Sequence, residues 1–312
     1  MSDLTPRKDL LDIASLSLEE IEYIFENAAP FKQLFQRSVK KVPTLRGKTV
    51  LNLFYEPSTR TSSSFEVAAS RMSADVTNFT VSSSSIVKGE SLLDTIETLQ
   101  AMKSDYIVIR HAAAGVPGLV AKHTRASVVN AGDGYHAHPT QALLDSMTLR
   151  EVYPDYEGRK VVIVGDILHS RVARSTATLF NKLGIEVGVL GPGSLVPEGR
   201  HDFMKRFDSW EDVFDWRPDA VYLLRVQLER QEGQFFPSIA EYHKMYGMHS
   251  ERIEKMRQLG AYLMHPGPVN RGVEITDEAM GYEKSLINTQ VENGIAVRMA
   301  VLHWLKPETD KD

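Results

Sequence analysis

Cysteine is absent from the 312 residues of this chain. Its absence excludes disulfide bonds, thiolate catalysis and zinc sites built from cysteine. Long apolar runs are also missing, since none approaches the roughly 18 residues that a membrane-spanning helix needs. The first residues are charged and lack the apolar centre of a secretion signal, so we expect a soluble cytoplasmic protein with no membrane partner.

The chain also lacks an excess of positive charge. Its formal net charge is −5, whereas a surface for nucleic acid or anionic lipid would be expected to be basic. Any anionic ligand must therefore be bound by a local cluster of cations and hydrogen-bond donors. With 42% hydrophobic and 25% charged residues, the composition is globular and the length fits about two domains.

Two common nucleotide-binding motifs are missing as well. The sequence contains no GxxxxGK[ST] loop, and no GxGxxG follows the apolar run "KVVIV" at 160–164. These absences favour a small phosphorylated molecule over a nucleoside triphosphate, and they disfavour a dinucleotide cofactor.

Apolar runs alternate with helical periodicity along the whole chain. They predict strands at 48–54, 75–80, 105–110 and 126–132, with helices near 59–71, 91–103, 115–124 and 140–152. After the polar segment "YPDYEGRK", further strands are predicted at 160–166, 185–191, 219–225 and 261–267, with a helix at 172–183 and a long amphipathic helix at the C-terminal end. This pattern predicts an α/β protein with two doubly wound parallel-sheet domains and an active site in the cleft between them. We place the domains at 1–150 and 151–288, with the helix at 289–312 packing back on the first domain.

The segment "FYEPSTRTSSSFEVAAS" (54–70) places hydroxyl groups where a strand passes into a helix. Ser58 or Thr59 is expected to cap this helix, whose first turn has unpaired N–H groups and the positive end of the helix dipole. Thr61 adds a further neutral donor, and Arg60 adds a planar guanidinium that matches a phosphate or a carboxylate. An ordinary capped helix with a solvated arginine is the alternative.

Similar polar groups follow the other predicted strands, where ligands of open α/β sheets bind. They are "VSSSSIVKGES" after 75–80, Arg110 and His111, "DGYHAHPTQ" after 126–132, Arg171 and Arg174, Arg225 and Gln227, and the "HPGP" turn at 265–268. Cations and neutral hydrogen-bonding groups dominate this set, as a pair of anionic substrates would require.

Each of these residues also has a structural interpretation. Arg110 and Arg225 could be salt-bridged residues of the fold. His136 and His138 could bind a metal by their spacing, but no third ligand is indicated and both could be hydrogen-bonded turn residues. Lys88 is most simply a solvated loop lysine. The coincidence of all of them at the same edge favours the functional interpretation, with no metal.

Three motifs, "STRT" (58–61), "HPTQ" (138–141) and "HPGP" (265–268), resemble those of the aspartate/ornithine carbamoyltransferase family. The longer segments "FYEPSTRTSSSFEVA", "GDGYHAHPTQALLD" and "MHPGPVNRG" are together highly specific, and the resemblance covers nearly the whole chain. It implies that the first domain binds carbamoyl phosphate and that the second binds most of the other substrate. It also implies a homotrimer with active sites shared between neighbouring subunits, and no cofactor.

The identity of the acceptor is indicated by a difference within the family. The ornithine members resemble one another in an "HCLP" motif and an "SMG" loop, whereas this chain has no cysteine and contains "HPGP". Aspartate has two carboxylates that Arg171 and Arg225 can bind, whereas ornithine would require an acidic partner. The segment "RVQLER" (225–230) also resembles an aspartate-binding segment. The resemblance therefore implies that the carbamoyl group of carbamoyl phosphate is transferred to the amino group of L-aspartate, giving N-carbamoyl-L-aspartate and phosphate for pyrimidine biosynthesis.

The resemblance further implies a role for each site residue. The phosphate group would be bound by Ser58, Thr59, Arg60, Thr61 and Arg110, and Ser84 of a neighbouring subunit would also bind carbamoyl phosphate. The carbonyl oxygen would accept from Thr61, Arg110 and His138, and the carbamoyl NH₂ would be held by Gln141 and the carbonyls of Pro266 and Gly267. Aspartate would be bound by Arg171, Arg225 and Gln227, with Lys88 of a neighbouring subunit reaching both substrates. Phosphate is a plausible proton acceptor, because no obvious general base besides His138 is present.

Two alternatives stay open from the sequence. The chain could be a carbamoyltransferase for another amino acid such as ornithine, or a non-catalytic subunit of this type that only binds a ligand or a partner protein. Whether regulatory or dihydroorotase chains attach to the trimer is also open, and no nucleic-acid partner is expected.

Overall fold

The computed structural model describes residues 4–80, 91–196, 203–226 and 238–308. The chain divides into two compact units, Met1–Leu144 with Glu292–Asp312, and Asp145–Val291. The two units meet within two helices, between residues 144 and 145 and between residues 291 and 292. The expected domain boundary, after residue 150, lies further along the first of these helices. No helix in the described ranges is long and apolar enough to cross a lipid bilayer.

The first unit is built on a parallel sheet of four strands. Its elements are α1 (Leu18–Gln33), β1 (Thr49–Phe54), α2 (Thr59–Arg71), β2 (Asp75–Thr80), α3 (Leu92–Ala101), β3 (Tyr106–His111), α4 (Val116–Lys122), β4 (Ser127–Asp133) and the beginning of α5 (Pro139–Val152). The strands lie in the order β2-β1-β3-β4, and all their pairings are parallel. The predicted strands and the predicted parallel sheet are confirmed for this unit.

The apolar runs of these strands form the core of the first unit. Leu51 and Leu53 of β1 lie in one buried cluster with Ile107 and Ile109 of β3. They share a face because alternate residues of a strand point to the same side of a sheet. Helices α3 and α4 cover that face with Ile96, Leu99 and Val120, so the apolar side chains of both strands are removed from water.

The second unit has a parallel sheet of five strands. Its elements are β5 (Lys160–Val164), α6 (Arg171–Lys182), β6 (Glu186–Leu190), β7 (Met204–Phe207), α7 (Trp210–Trp216), β8 (Ala220–Leu223), α8 (Ile239–Tyr246), α9 (Ser250–Leu259), β9 (Tyr262–Met264), α10 (Asp277–Met280) and the beginning of α11 (Ile287–Trp304). The strand order is β7-β6-β5-β8-β9. Both faces are covered: Val161 and Ile163 of β5 lie in one cluster with Phe180 of α6, and Val162 and Val164 lie in another cluster with residues of α7.

The sequence did not predict several elements of the second unit. Strand β7 lies at the edge of the sheet, and Lys205 and Arg206 are exposed on it, so it lacks the apolar run of a central strand. The short helices α7 to α10 were not predicted either. Where the chain passes from β6 to β7 and from β8 to α8, the residues 197–202 and 227–237 lie outside the described part of the chain.

Helix α11 was expected to be amphipathic, and that expectation is wrong for its second half. Residues 296–302 are all buried, including Arg298. The Arg298 guanidinium donates to the Ser64 hydroxyl at 2.8 Å and lies 5.0 Å from the centre of the Phe65 ring, both on α2. The helix can be buried on nearly every side because its one charged residue here has a hydrogen bond and an aromatic contact.

A buried carboxylate joins four elements of the second unit. Asp145 of α5 is fully buried and accepts hydrogen bonds from Tyr222 of β8 at 2.8 Å, Thr176 of α6 at 3.1 Å and Gln290 of α11 at 2.8 Å. A buried charge is tolerated only where such donors replace its hydration. Asp145 therefore holds the sheet and three helices of this unit together.

We predict that Asp145→Ala lowers the free energy of unfolding by about 3 kcal/mol or more, because buried donors on Tyr222, Thr176 and Gln290 lose their acceptor. Urea denaturation followed by tryptophan fluorescence measures the change. The matched control is Asp215→Ala, which removes an exposed carboxylate from α7 and should change the stability by less than about 0.5 kcal/mol. Equal stability of the two variants would contradict the role given to Asp145.

Candidate functional site

The loop after β1 leads directly into α2 and carries the first group of candidate residues. Ser58 occupies the position before the helix, but its side chain makes no capping hydrogen bond, so the predicted side-chain cap is wrong. The first intrahelical bond runs from the Ser62 N–H to the Ser58 carbonyl at 3.0 Å. The N–H groups of Thr59, Arg60 and Thr61 precede that bond and have no intrahelical acceptor. Thr59 and Arg60 are exposed, whereas the Thr61 side chain is buried.

Arg110 lies next to this loop because β3 is the neighbour of β1. Phe54 pairs with Arg110 in the sheet, and the Tyr55 N–H donates to the Arg110 carbonyl at 2.9 Å. The Arg110 Nε lies 3.3 Å from a carboxylate oxygen of Glu56, and its Nη1 donates to the Ala131 carbonyl at 3.4 Å. The sequence reasoning named Arg110 but missed Glu56, although this glutamate lies two residues before Ser58 in the "YEPS" segment.

His111, the second polar residue at the end of β3, does not add a further cation to this edge. Its Nδ1 accepts a hydrogen bond from the Ala113 N–H at 2.9 Å, and its ring lies 4.9 Å from the Tyr55 ring. Burial lowers the pKa of His111 below its usual value of 6.5, so the ring is neutral at pH 7.

The loop after β4 is organised by Asp133. This buried carboxylate accepts from the Gly115 N–H at 2.7 Å, the Ala137 N–H at 3.1 Å and the Asn130 amide at 2.8 Å. It also lies 3.0 Å from Nδ1 of His136, whose side chain is 46% exposed. Asp133 therefore fixes the path of the loop that leads to His138, a role that the sequence did not indicate.

His138 and Gln141 lie together where α5 begins. His138 is only 4% exposed, and its carbonyl accepts from the Gln141 N–H at 3.1 Å. Gln141 is also buried. His136 and His138 thus have different surroundings, one exposed beside Asp133 and the other buried at the helix start. Across the described ranges, no cluster of three histidine, aspartate or glutamate residues is arranged to hold a metal ion.

In the second unit, Arg171 is positioned by the turn after β5. It is the first residue of α6 and is 3% exposed, and the preceding Ser170 caps the helix by accepting from the Ala173 N–H at 3.0 Å. Asp166 accepts from the His169 N–H at 3.0 Å and lies 3.1 Å from Nδ1 of the same histidine. The sequence reasoning found Arg171 but missed the contact between Asp166 and His169 that closes the turn before it.

Two further candidate groups lie at the ends of β8 and β9, which are neighbours in the sheet. Half-buried Arg225 follows β8, and the "HPGP" turn with Pro266 and Gly267 follows β9. Gly267 has a φ of +66°, a left-handed conformation that favours glycine. The structure thus brings Arg225 and the turn to adjacent strand ends.

Three predicted site residues lie outside the described residues. Ser84 and Lys88 fall in the segment 81–90, and Gln227 falls in the segment 227–237. The other predicted residues form one group in the first unit, made of Ser58, Thr59, Arg60, Thr61, Arg110, His138 and Gln141, and one in the second, made of Arg171, Arg225, Pro266 and Gly267. Each group follows the carboxyl ends of parallel strands.

Two family models match the chain over most of its length. The model described as "Aspartate/ornithine carbamoyltransferase, carbamoyl-P binding domain" matches residues 8–151. The model described as "Aspartate/ornithine carbamoyltransferase, Asp/Orn binding domain" matches residues 157–305.

Individual relatives are similar over nearly their full length. The aspartate carbamoyltransferase catalytic subunit of Akkermansia muciniphila is 64% identical over 304 residues, which are 97% of this chain and 98% of the relative. The protein of the same name from Endomicrobium trichonymphae is 53% identical, over 96% of both chains.

Solved structures of aspartate transcarbamoylases have a fold similar to that of this chain. Aspartate transcarbamoylase from Trypanosoma cruzi, in complex with N-(phosphonacetyl)-L-aspartic acid, has a TM-score of 0.86 and 27% identity over 98% of both chains. The catalytic subunit of the M. jannaschii enzyme has a TM-score of 0.82 and 32% identity over 95% of this chain and 97% of its own. With both family models matched and relatives above 50% identity, this chain belongs to the aspartate/ornithine carbamoyltransferase family.

Proposed function

We propose that this protein transfers the carbamoyl group of carbamoyl phosphate to the amino group of L-aspartate, giving N-carbamoyl-L-aspartate and phosphate, a step of pyrimidine biosynthesis. The observation that carries the proposal is the start of α2, where N–H groups without intrahelical acceptors and the hydroxyls of the "STRT" motif lie beside Arg110. Relatives that are 53–64% identical carry the name of this activity. Structures of the T. cruzi enzyme contain carbamoyl phosphate and aspartate.

The phosphate group of carbamoyl phosphate would bind at the start of α2. Helix N-termini attract anions because their N–H groups point outward and the helix dipole is positive there. The hydroxyls of Ser58, Thr59 and Thr61 add neutral donors, and Arg60 and Arg110 add positive charge. Glu56 lies against Arg110 and offsets the charge of that one guanidinium when no anion is bound, whereas the charge of Arg60 is not offset by this contact.

The carbonyl oxygen gains negative charge when the amine attacks. In our proposal, Thr61, Arg110 and His138 donate to that oxygen, and such preorganised donors are typically worth about 3 kcal/mol each in the transition state. The burial of Thr61 and His138 supports this assignment, because a donor in a site shielded from water acts more strongly. Gln141 and the carbonyls of Pro266 and Gly267 would hold the carbamoyl NH₂.

The bonds and the proton of this reaction are accounted for by the two substrates alone. The amino nitrogen of aspartate forms a bond to the carbonyl carbon, the bond from that carbon to the phosphate oxygen breaks, and phosphate leaves with the proton that the amine loses. We assign proton acceptance to the phosphate itself, since it lies on the reacting carbon and is basic enough near neutral pH.

Aspartate would be bound by Arg171, Arg225 and Gln227. Two guanidinium groups match the two carboxylates of aspartate, whereas the side-chain ammonium of ornithine would need an acidic partner at such a site. Buried Arg171 is held at the start of α6, so its guanidinium is restricted before substrate binds.

Formation of carbamoyl aspartate from carbamoyl phosphate and aspartate is the direct test, with ornithine as the control amine. Turnover with aspartate alone supports the proposal, and turnover with ornithine would indicate the other branch of the family. Ligand binding without turnover would indicate a non-catalytic subunit.

We also propose that the protein is a cytoplasmic homotrimer in which Ser84 and Lys88 complete the site of a neighbouring subunit. This proposal comes from the family resemblance, because both residues lie outside the described part of the chain. Regulatory or dihydroorotase chains could attach to such a trimer.

We predict that Arg60→Ala weakens the binding of carbamoyl phosphate by about tenfold to hundredfold, since a dianion loses a charge-assisted partner. Calorimetry with inorganic phosphate and with carbamoyl phosphate measures both affinities. Arg37→Ala removes an arginine that is also exposed but belongs to the segment after α1 and not to the start of α2, and it should leave both affinities unchanged. Normal phosphate affinity in Arg60→Ala would remove Arg60 from the site.

For Arg225→Ala we predict the opposite result, a weaker interaction with aspartate and not with carbamoyl phosphate. Carbamoyl phosphate should still bind, while the KM for aspartate should rise by about tenfold or more because a carboxylate loses its charged partner. Steady-state kinetics at saturating carbamoyl phosphate gives the KM, and Lys255→Ala, at an exposed position of α9, is the matched control. A normal aspartate KM would assign Arg225 to a structural role.

The shared site can be tested by mixing two inactive variants, Lys88→Ala and His138→Ala. In a closed ring of three, an intact site needs His138 from one chain and Lys88 from the next, so about one site in three is restored in every mixed trimer. Dissociation, mixing and reassembly should therefore recover substantial activity.

The control for this experiment mixes Lys88→Ala with the double variant that lacks both side chains. Its hybrids contain no chain with Lys88, so no site can be restored. If hybrids of the two single variants, verified by mass, stay as inactive as this control, Lys88 does not act across the interface.

A further inference from the structure

The "HPGP" turn after β9 is fixed by a hydrogen bond between its backbone and its own histidine. The Gly267 N–H donates to Nδ1 of His265 at 2.8 Å. That N–H belongs to the same planar peptide group as the Pro266 carbonyl, so fixing one fixes the direction of the other. His265 therefore sets the orientation of a carbonyl that, in the proposed function, accepts from the carbamoyl NH₂.

The same hydrogen bond determines where the ring of His265 carries its proton. Nδ1 acts as an acceptor, so the neutral ring must carry its proton on Nε2. Nε2 lies 3.2 Å from a carboxylate oxygen, Oε1, of Glu274, and the two side chains are 0% and 2% exposed. The Glu274 carboxylate accepts a hydrogen bond from this Nε2–H group and holds the ring in the orientation that the hydrogen bond from the Gly267 N–H requires.

Glu274 also reaches the end of the neighbouring strand. Its Oε1 accepts a second hydrogen bond from the Asn270 N–H, and the side chain of Asn270 donates to the Val226 carbonyl at 2.9 Å. Val226 directly follows Arg225. One buried carboxylate is thus connected to the turn that carries Pro266 and to the segment that carries Arg225.

The other side of the turn is attached to the buried centre of the second unit. The His265 N–H donates to the amide oxygen of Gln290 at 2.9 Å, and the Gln290 amide nitrogen donates to Asp145 at 2.8 Å. The backbone of His265 is therefore held from the core, so its ring and the Pro266–Gly267 peptide are the parts that Glu274 controls.

We propose that Glu274 is a positioning residue for the carbamoyl group. It acts through His265 on the Pro266 carbonyl and through Asn270 on the Arg225 segment, and we assign it no contact with either substrate. This inference rests on the proposed function. It names Glu274 as a residue that determines how well the carbamoyl NH₂ is bound, as distinct from the phosphate group.

The test compares Glu274→Ala with Glu274→Gln, and Glu278→Ala is the matched control because Glu278 is an exposed glutamate nearby in the chain. For each protein, kcat is measured by formation of carbamoyl aspartate, and calorimetry gives the affinities for inorganic phosphate and for carbamoyl phosphate. Melting temperatures identify variants that fail to fold.

In Glu274→Ala we expect kcat to fall by about tenfold to hundredfold, because a carbonyl at the reacting group is misplaced. The affinity for carbamoyl phosphate should fall while the affinity for inorganic phosphate stays normal, since only the former has the NH₂ group. Glu274→Gln keeps an acceptor oxygen for His265 and Asn270, so its kcat should stay within about fivefold of the parent protein.

Unchanged kcat in Glu274→Ala would overturn the inference, as would a parallel loss of both affinities, which would indicate a general structural effect. If Glu274→Ala does not fold, His265→Asn and His265→Leu decide instead. Asparagine offers an oxygen in the place of Nδ1 and leucine does not, so equal kcat values for these two would also overturn the inference. An inactive parent protein would refute the proposed function itself, whereas an active parent with an unaffected Glu274→Ala variant refutes only the positioning role.

Discussion

Within the described residues, all strand pairings in both sheets are parallel, so the carboxyl ends of the strands in each sheet point to one edge. The candidate residues depend on this constraint. Arg110 lies beside the loop that leads to Arg60 only because β3 and β1 pair in parallel, and Arg225 lies near Pro266 for the same reason in β8 and β9. An antiparallel neighbour would place the corresponding side chains at the opposite edge of the sheet.

An acidic protein can bind anionic substrates when its carboxylates are used to shape loops. Three buried acidic residues, Asp133, Asp166 and Glu274, each accept a backbone N–H from a loop that carries a candidate residue. These carboxylates accept hydrogen bonds from donors within the protein and so fix the loops. The guanidinium and N–H groups of the same loops therefore stay oriented for a ligand. The net charge of −5 is therefore compatible with local anion binding, since net charge does not describe the field within a loop.

The sequence could predict the candidate positions but not their partners. Strand runs such as 48–54 and 105–110 are apolar enough to be recognised, and residues that follow them must reach the ligand edge of the sheet. Edge strand β7 escaped prediction because exposed Lys205 and Arg206 interrupt its pattern. Contacts such as Glu56 with Arg110, or Glu274 with His265, join side chains whose directions depend on the folded loops, and no local spacing encodes them.

The glycines that follow β5 and β6 illustrate why the missing dinucleotide motif is physically consistent with this fold. Gly165 has a φ of +133°, and a Cβ at this position would lie 3.1 Å from both the Leu224 side chain and the hydroxyl of buried Tyr242. A Cβ at Gly191 would lie 2.2 Å from the Gly165 carbonyl oxygen. These two glycines therefore allow neighbouring backbones to approach and do not form a cradle for phosphate. Since the backbone of these two glycines is committed to packing, we assign the charge for an anion at this edge of the second unit to a side chain, that of Arg171 at the start of α6.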